Sequence, residues 1–165
     1  MHAKSIASPQ QAEVNSVEPI LNGRAAHFTL GAEPNSKGFV SLLMAYRASG
    51  GTLSGDELIQ VLVEHRQADY TGAAHLIASR QVFGFTWRSK VWVPMFQFEL
   101  RNLTIRPECH LILAELAKSF DDWGTATWFA HPNSWLNDRK PIDVLNTEFH
   151  TVLSAADSKK CLAAC

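Results

Sequence analysis

A single segment with the residue pattern of β-strands interrupts a chain whose other apolar residues follow helical spacing. Aromatic and β-branched residues fill much of positions 82–87 and 91–93, on either side of the polar residues 88–90. This pattern predicts a β-hairpin. Pro94 ends its regular pairing, because proline has no N–H to donate to a ladder, and residues 95–98 are expected to continue as an extended apolar segment. The sequence therefore predicts a mainly α fold with a small β-hairpin (α+β).

Two helices joined by a short turn come directly before this hairpin. Ser54 and Glu57 form a capping-box pattern, in which each side chain binds a free amide at the helix start. The second helix of the pair runs from Thr71 to about Arg80. A further helix lies upstream and ends at the glycine pair 50–51. Helix, turn, helix and hairpin follow one another as in a winged helix-turn-helix.

A C-terminal helical bundle is expected after the hairpin. Pro107 suits the first turn of a helix, where a missing N–H costs nothing. The acidic pair 121–122 can cap the next helix, and residues 131–133 break it. Two short helices follow, one opened by Pro141 and one capped by Thr147.

These patterns divide the chain into four parts. Residues 1–37 are expected to be a flexible N-terminal tail, since prolines and polar residues are scattered there without a sustained period. Residues 38–106 form the helical region with the winged-helix-like hairpin, and residues 107–158 form the C-terminal helical domain. Residues 159–165 are expected to be a second tail.

Composition restricts the class of protein. Of 165 residues, 46% are hydrophobic and 19% are charged, so the chain can bury a core. The formal charge of -1 gives no global attraction to nucleic acid or membrane. No apolar run reaches the roughly 18 residues of a membrane helix, and no signal peptide is recognisable. Three cysteines are too few for a disulfide scaffold. We expect a soluble, cytoplasmic protein that does not associate with membranes.

The sequence lacks the motifs of the common catalytic sites. It contains no nucleophile elbow and no glycine-rich phosphate loop, and its seven histidines lack the spacing of a metal site. Cys109 and His110 are adjacent in a predicted helix, where neighbours do not face one another. We therefore expect no enzyme, no catalytic residue, no metal and no cofactor.

Local charge indicates nucleic-acid binding as one alternative. Six basic and two acidic side chains lie within residues 66–106. Arg88 and Lys90 stand at the predicted wing tip, and Arg66 and Arg80 follow the two helices, so these four are candidate phosphate contacts. The second helix offers few side chains able to read base edges. A solvated basic face over a packed hairpin is the other interpretation.

The chain is rich in tryptophan after the first helices. All five tryptophans lie between residues 83 and 149, and core packing is the default expectation for such side chains. Trp135 is the best candidate for an exposed one, because it follows a Pro-Asn break and precedes a polar loop. An exposed tryptophan near an arginine is typical of a protein–protein anchor.

The sequence WGTATWFAHPNSWL at positions 123–136, followed by RKPIDVL at 139–145, resembles the C-terminal domain of the Xre/MbcA/ParS-type antitoxins. The element PMFQF at 94–98 is similar to a segment that precedes this domain in many relatives. The resemblance covers about residues 77–156, and Asn-Asp at 137–138 replaces the usual glycine of the polar turn. The matching positions are Trp128, Pro132, Asn133, Leu136, Pro141, Asp143 and Leu145.

In that bacterial family the C-terminal domain binds and neutralises a RES-domain toxin, which consumes NAD, and an N-terminal helix-turn-helix often represses the operon. The resemblance implies a non-enzymatic antitoxin-like protein of a toxin–antitoxin system. Its partners would be a RES-domain toxin and operator DNA, and a homodimer is left open. A winged-helix-type DNA-binding regulator, or a structural relative with neither role, remain as alternatives. The implied partner surface comprises Trp128, Asn133, Trp135, Leu136, Asn137 and Arg139.

Overall fold

The computed structural model describes residues 35–157, and every structural statement below concerns that part of the chain. Its helices are α1 (Ser36–Tyr46), α2 (Gly55–Glu64), α3 (Tyr70–Ala78), α4 (Pro107–Leu116), α5 (Asp122–Ala130), α6 (Pro141–Val144) and α7 (Phe149–Ala156). Its strands are β1 (Thr52–Ser54), β2 (Phe85–Trp87), β3 (Lys90–Pro94), β4 (Phe98–Glu99) and β5 (Thr104–Ile105). Turns of 3₁₀ helix lie at Arg47–Ser49, Met95–Gln97 and Ser134–Leu136. The predicted class, mainly α with a small antiparallel β part, is confirmed.

The two predicted tails lie almost wholly outside the described residues. Only residues 35–37 of the first are described, and they belong to the start of α1. The side chain of Asn35 accepts a hydrogen bond from the N–H of Gly38 at 2.8 Å. This bond satisfies one of the free amides at the helix start, so the helix begins two residues earlier than the sequence pattern suggested.

The first helices and strands follow the order α1-β1-α2-α3-β2-β3, so a pair of helices joined by a short turn precedes the hairpin. The strands form an antiparallel sheet in the order β1-β3-β2. The predicted capping box is present: Ser54 N–H donates to a Glu57 carboxylate oxygen at 2.7 Å, and Glu57 N–H donates to Ser54 Oγ at 3.4 Å. Strand β1 was not predicted, because it is only three residues long.

The segment after the hairpin is not fully extended, which corrects the prediction for residues 95–98. Met95–Gln97 is a 3₁₀ turn, and Gln97 is almost completely buried. Its Nε2 donates to the carbonyl oxygens of Phe83 at 2.8 Å and Pro94 at 2.9 Å, and its Oε1 accepts from Phe83 N–H at 2.8 Å. Continued two residues beyond its last pair, Phe85 and Trp92, the register of the hairpin brings Phe83 opposite Pro94. Gln97 therefore replaces the N–H that proline lacks.

The last helix also starts differently from the prediction. Thr147 was expected to cap it, but α7 begins at Phe149 and no side chain caps it. The hydroxyl of Thr147 instead donates to Val144 O at 3.3 Å. The intervening Glu148 uses its carboxylate to bind Arg139.

Two hydrophobic cores position the surfaces considered below. The first joins α1 to helices α4–α7 and to Phe85 and Phe96. Tyr46, which is completely buried there, donates its hydroxyl to Ala126 O at 2.7 Å, and burial raises its pKa. The second core lies between α2, α3 and the β-strands. Helix α1 thus packs on the C-terminal helices. Within residues 35–157, no helix has both the length and the apolar character needed to cross a bilayer.

Candidate functional site

The hairpin between β2 and β3 turns through two residues in the left-handed region. The φ angle is 47° at Arg88 and 62° at Ser89, and Trp87 pairs with Lys90 across the turn. Positive φ at both central residues is the geometry of a type I′ turn, whose twist matches that of the strands. The predicted wing is thus a tight hairpin with Arg88 and Lys90 exposed at its tip.

Trp87 fixes the wing to the first helix. Its ring stacks on Phe39, with centroids 3.8 Å apart and planes 2° from parallel. The guanidinium carbon of Arg88 lies 4.5 Å from the Trp87 ring centroid, and its Nη2 donates to Ser36 Oγ at 3.3 Å. These contacts position Arg88 beside α1 while its side chain remains exposed. The wing therefore holds the Arg88 guanidinium in a defined position at the protein surface.

The other two candidate phosphate contacts lie at helix ends. Arg66 follows α2 and Arg80 follows α3; both are exposed, with φ angles of 56° and 57°. Arg80 Nη2 lies 2.6 Å from Oδ2 of Asp122, the first residue of α5. Because this ion pair engages Arg80, the remaining three basic residues are the stronger candidates for a phosphate.

Helix α3 exposes Tyr70, which the sequence analysis did not place on the helix. Asp69 caps it by accepting from Gly72 N–H at 2.7 Å, so the helix begins at Tyr70 rather than Thr71. Tyr70 is 69% exposed, and Thr71 and His75 are exposed as well. The capping aspartate was the signal that would have placed Tyr70 on the helix.

Residues 131–141, called the Trp135 loop below, form a closed loop between α5 and α6. The N–H of Asn133 donates to Arg139 O at 3.1 Å, and the N–H of Asp138 donates to Asn133 O at 3.0 Å. The side chain of Asn133 accepts from Trp135 N–H at 2.9 Å. Asn133 is thus a cap, as predicted, and it also joins the two sides of the loop.

Two consecutive left-handed residues turn this loop back on itself. The φ angles are 57° at Asn137 and 58° at Asp138. Glycine enters this region most easily, and asparagine and aspartate follow because their short side chains bond locally. This explains how Asn-Asp can occupy the place where the antitoxin pattern usually has glycine.

Arg139 ties the Trp135 loop to the start of α7. Its Nη1 and Nη2 donate to the two carboxylate oxygens of Glu148 at 2.5 and 2.7 Å. Its Nε donates to Leu136 O at 3.0 Å. The hydrogen bonds from Arg139 lower the pKa of Glu148, and those to Glu148 raise the pKa of Arg139. Arg139 therefore shapes the loop as well as contributing to its surface.

Trp135 is the exposed tryptophan of the chain. All five tryptophans fall within the described residues, and Trp135, at 50% exposure, is the one that is not buried or half-buried. Trp128 is 5% exposed and Leu136 is completely buried, both in the first core. These two predicted partner residues present no surface, because their side chains fill the core that supports the loop. The candidate surface therefore reduces to Trp135, Asn137 and Arg139, with Asn133 as a support.

In the described part of the chain, Cys109 and the potential metal ligands do not form a reactive site. Burial raises the pKa of the Cys109 thiol to about 11, so it stays protonated at neutral pH. Among residues 35–157, no cluster of three or more histidine, cysteine, aspartate or glutamate side chains has the arrangement of a metal site.

Within residues 35–157 the structure thus combines a helix pair and hairpin, with basic side chains at the hairpin tip, and a helical bundle that carries an exposed tryptophan on a closed loop. No known protein family, curated protein or solved structure matches the chain.

Proposed function

We propose that this chain is a non-enzymatic binding protein of the antitoxin type, whose C-terminal helices bind a RES-domain toxin through the Trp135 loop. The observation that carries the proposal is the exposed Trp135 side chain on a loop closed by hydrogen bonds. The partner class comes from the resemblance to the Xre/MbcA/ParS-type antitoxins.

The chemistry of the loop suits a protein–protein anchor. Tryptophan is among the residues that most often dominate binding energy, because it buries a large area at a small cost in side-chain entropy. The bonds made by Asn133 and Arg139 already order the loop, so little backbone entropy remains to be lost on binding. Asn137 and Arg139 are exposed in the same loop as Trp135 and supply polar groups, as expected for the rim of an interface.

A pull-down tests this proposal. Tagged full-length protein, its Trp135→Ala variant and a Tyr70→Ala variant are exposed to lysate of the native host, and retained proteins are identified by mass spectrometry. Tyr70 is the matched control, because it is an exposed aromatic residue on a different element. A RES-domain protein retained by wild type and Tyr70→Ala, but lost by Trp135→Ala, supports the proposal. Retention of a RES-domain protein by wild type and both variants, or by none of the three proteins, contradicts it.

Duplex DNA is the second candidate partner, favoured by the order of the elements. The helix pair α2–α3 is followed by a hairpin whose tip exposes Arg88 and Lys90. In helix-turn-helix proteins the second helix enters the major groove, and flanking basic side chains meet phosphates. Here that helix would be α3, with Tyr70 and His75 on its exposed side. An antitoxin that also binds DNA would use the two surfaces for different partners.

Salt dependence separates phosphate binding from an apolar contact. We expect the affinity of the full chain for a 30-base-pair duplex pool to fall steeply with salt, as phosphate contacts release counterions. Replacing Arg88 and Lys90 by glutamate should weaken binding and lower the slope of log affinity against log salt by about 2. Trp135→Ala is the control and should bind like wild type. If the double variant binds equally well, the wing does not contact DNA.

A further inference from the structure

Strand β2 is an edge of its sheet, and its free side carries outward-facing backbone groups. The two-residue turn makes Trp87 and Lys90 a hydrogen-bonded pair, so the next pair, Thr86 and Val91, is not hydrogen-bonded. The N–H and C=O of Thr86 therefore face away from β3. Within the described ranges no backbone group or side chain binds them.

The same alternation extends one step upstream. Phe83 directs its N–H and C=O inward, where Gln97 binds both. The backbone groups of Gly84, between Phe83 and Phe85, consequently point outward like those of Thr86. A side chain at Gly84 would bring its Cβ to 2.8 Å from Val91 Cγ1, so this position suits glycine. Gly84 and Thr86 together offer two donors and two acceptors in the spacing of a strand edge.

A cleft of about 550 Å³ runs along this edge. Gly84 and Thr86 line it together with the end of α3 on one side and helices α4 and α5 on the other. Because helices border both sides, a second folded sheet cannot approach the edge, whereas a single extended segment can. The walls are mainly apolar and include Ile77, Val82, Leu113, Ala117 and Phe120.

Two acidic side chains at the start of α5, Asp121 and Asp122, line the cleft. Arg80 neutralises Asp122 by a 2.6 Å ion pair. Asp121 caps α5 by accepting from Gly124 N–H at 2.6 Å, which leaves one net negative charge in the lining. An extended segment with a lysine or arginine near one end is therefore the best electrostatic match.

We propose that this cleft binds an extended, basic segment of a partner protein, which adds to β2 as a fourth strand of the sheet. Main-chain hydrogen bonds to Gly84 and Thr86 hold the segment, and a basic side chain meets Asp121. Successive apolar side chains point to opposite faces of the added strand and contact Ile77 on one side and Leu113 on the other. This is β-augmentation, in which the main chain supplies affinity and the side chains supply specificity. The site is separate from the Trp135 loop and does not depend on the function proposed above.

Proline at position 86 tests the site selectively. Thr86 N–H faces away from β3, so Thr86→Pro removes no bond from the hairpin, and edge positions of this kind tolerate proline. It does remove one donor to the added strand. Thr86→Val, which keeps both the N–H and a β-branched side chain, is the matched control. Far-ultraviolet circular dichroism and urea unfolding should show that both full-length variants fold.

The probe is a phage-displayed library of random ten-residue peptides, selected on the immobilised full chain. We expect enriched peptides with successive apolar residues, which face both walls, and a lysine or arginine at one end. Their affinity should fall about tenfold for Thr86→Pro and stay unchanged for Thr86→Val, which corresponds to the loss of a hydrogen bond. Hydrogen exchange of the Gly84 and Thr86 amides should be fast in the chain alone and slow with peptide bound.

Three results would overturn the proposal. The first is a library that yields no enriched peptide, and the second is a set of enriched peptides that bind the proline variant as well as wild type. Slow exchange of the Gly84 and Thr86 amides without any peptide would mean that the chain itself, or a second copy of it, already occupies the edge.

Discussion

Glu148 receives both terminal nitrogens of Arg139, which lies nine residues earlier, in a two-bond ion pair of 2.5 and 2.7 Å. The pair joins the Trp135 loop to the start of α7, and the Nε of the same arginine binds Leu136 O within the loop. Arg139 was predicted as a partner contact, and the structure shows that it also organises the loop. A substitution there is expected to change the loop as well as its surface.

The ion pair makes the stability of the Trp135 loop depend on pH. Hydrogen bonds from Arg139 hold the pKa of Glu148 below its ordinary value. A carboxyl group with a lowered pKa stabilises the fold above its ordinary range and loses that contribution as pH falls through the lowered value. Arg139→Gln should return the pKa of Glu148 toward about 4.3, measured by NMR titration. Lys140→Gln removes a neighbouring cation and should leave the pKa in place; equal effects of the two variants would refute the pairing.

Gln97 should be indispensable to the hairpin. Its buried amide binds Phe83 on both backbone groups and Pro94 on its carbonyl. Gln97→Leu keeps the volume and leaves these groups unpaired in the interior, so the free energy of unfolding should fall by about 2 kcal/mol or more. The exposed Gln81, replaced by leucine, should change it by less than about 0.5 kcal/mol. Urea denaturation measures both, and equal losses would contradict the assigned role.

The wing turn contains a residue in an unfavourable region. Ser89 has a φ angle of 62° in the type I′ turn. Ser89→Gly should stabilise the protein by about 0.5–1 kcal/mol, because glycine enters this region without a steric penalty. Ser89→Val should destabilise it by about 1–2 kcal/mol, since a β-branched side chain is strained there. Thermal unfolding of the two variants tests the turn. A lower melting temperature for Ser89→Gly, or a higher one for Ser89→Val, would contradict the assigned turn type.

Cys109 should react slowly while the protein is folded. Burial raises the pKa of its thiol to about 11, and only the thiolate is nucleophilic. At pH 8 we expect the peptide containing Cys109 to be alkylated much more slowly in native protein than in urea, as followed by mass spectrometry. Fast labelling of native protein at that pH would show that the thiol is accessible, contrary to its 3% exposure.

Local chemistry explains which parts of the fold could be predicted. The capping box at Ser54, the cap at Asn133 and the hairpin turn at 88–89 each depend on residues close in sequence. These features are present where the patterns placed them. Their geometry follows from backbone amides seeking nearby acceptors, so tertiary packing is not needed to infer them.

Features that depend on distant residues could not be predicted. Gln97 binds Phe83 fourteen positions earlier, which turns an expected extended segment into a 3₁₀ turn. The resemblance placed Trp128 on the partner surface together with Trp135, whereas the packing of α5 buries Trp128, and Trp135, which the sequence set beside a polar loop, is the exposed one. Burial is decided by which face of each helix meets the core, and the sequence of the 123–136 segment alone does not determine it.

Inhibition of a toxin tests the central claim most directly. The RES-domain protein of the native host is purified, and its consumption of NAD is followed while full-length protein, Trp135→Ala or Tyr70→Ala is added. We predict that wild type and Tyr70→Ala stop NAD consumption near equimolar amounts. Trp135→Ala should require at least about tenfold more, since removing an anchor tryptophan commonly costs 2 kcal/mol or more of binding energy, roughly thirtyfold in affinity. Equal inhibition by Trp135→Ala and wild type, or no inhibition by wild type, would contradict the account.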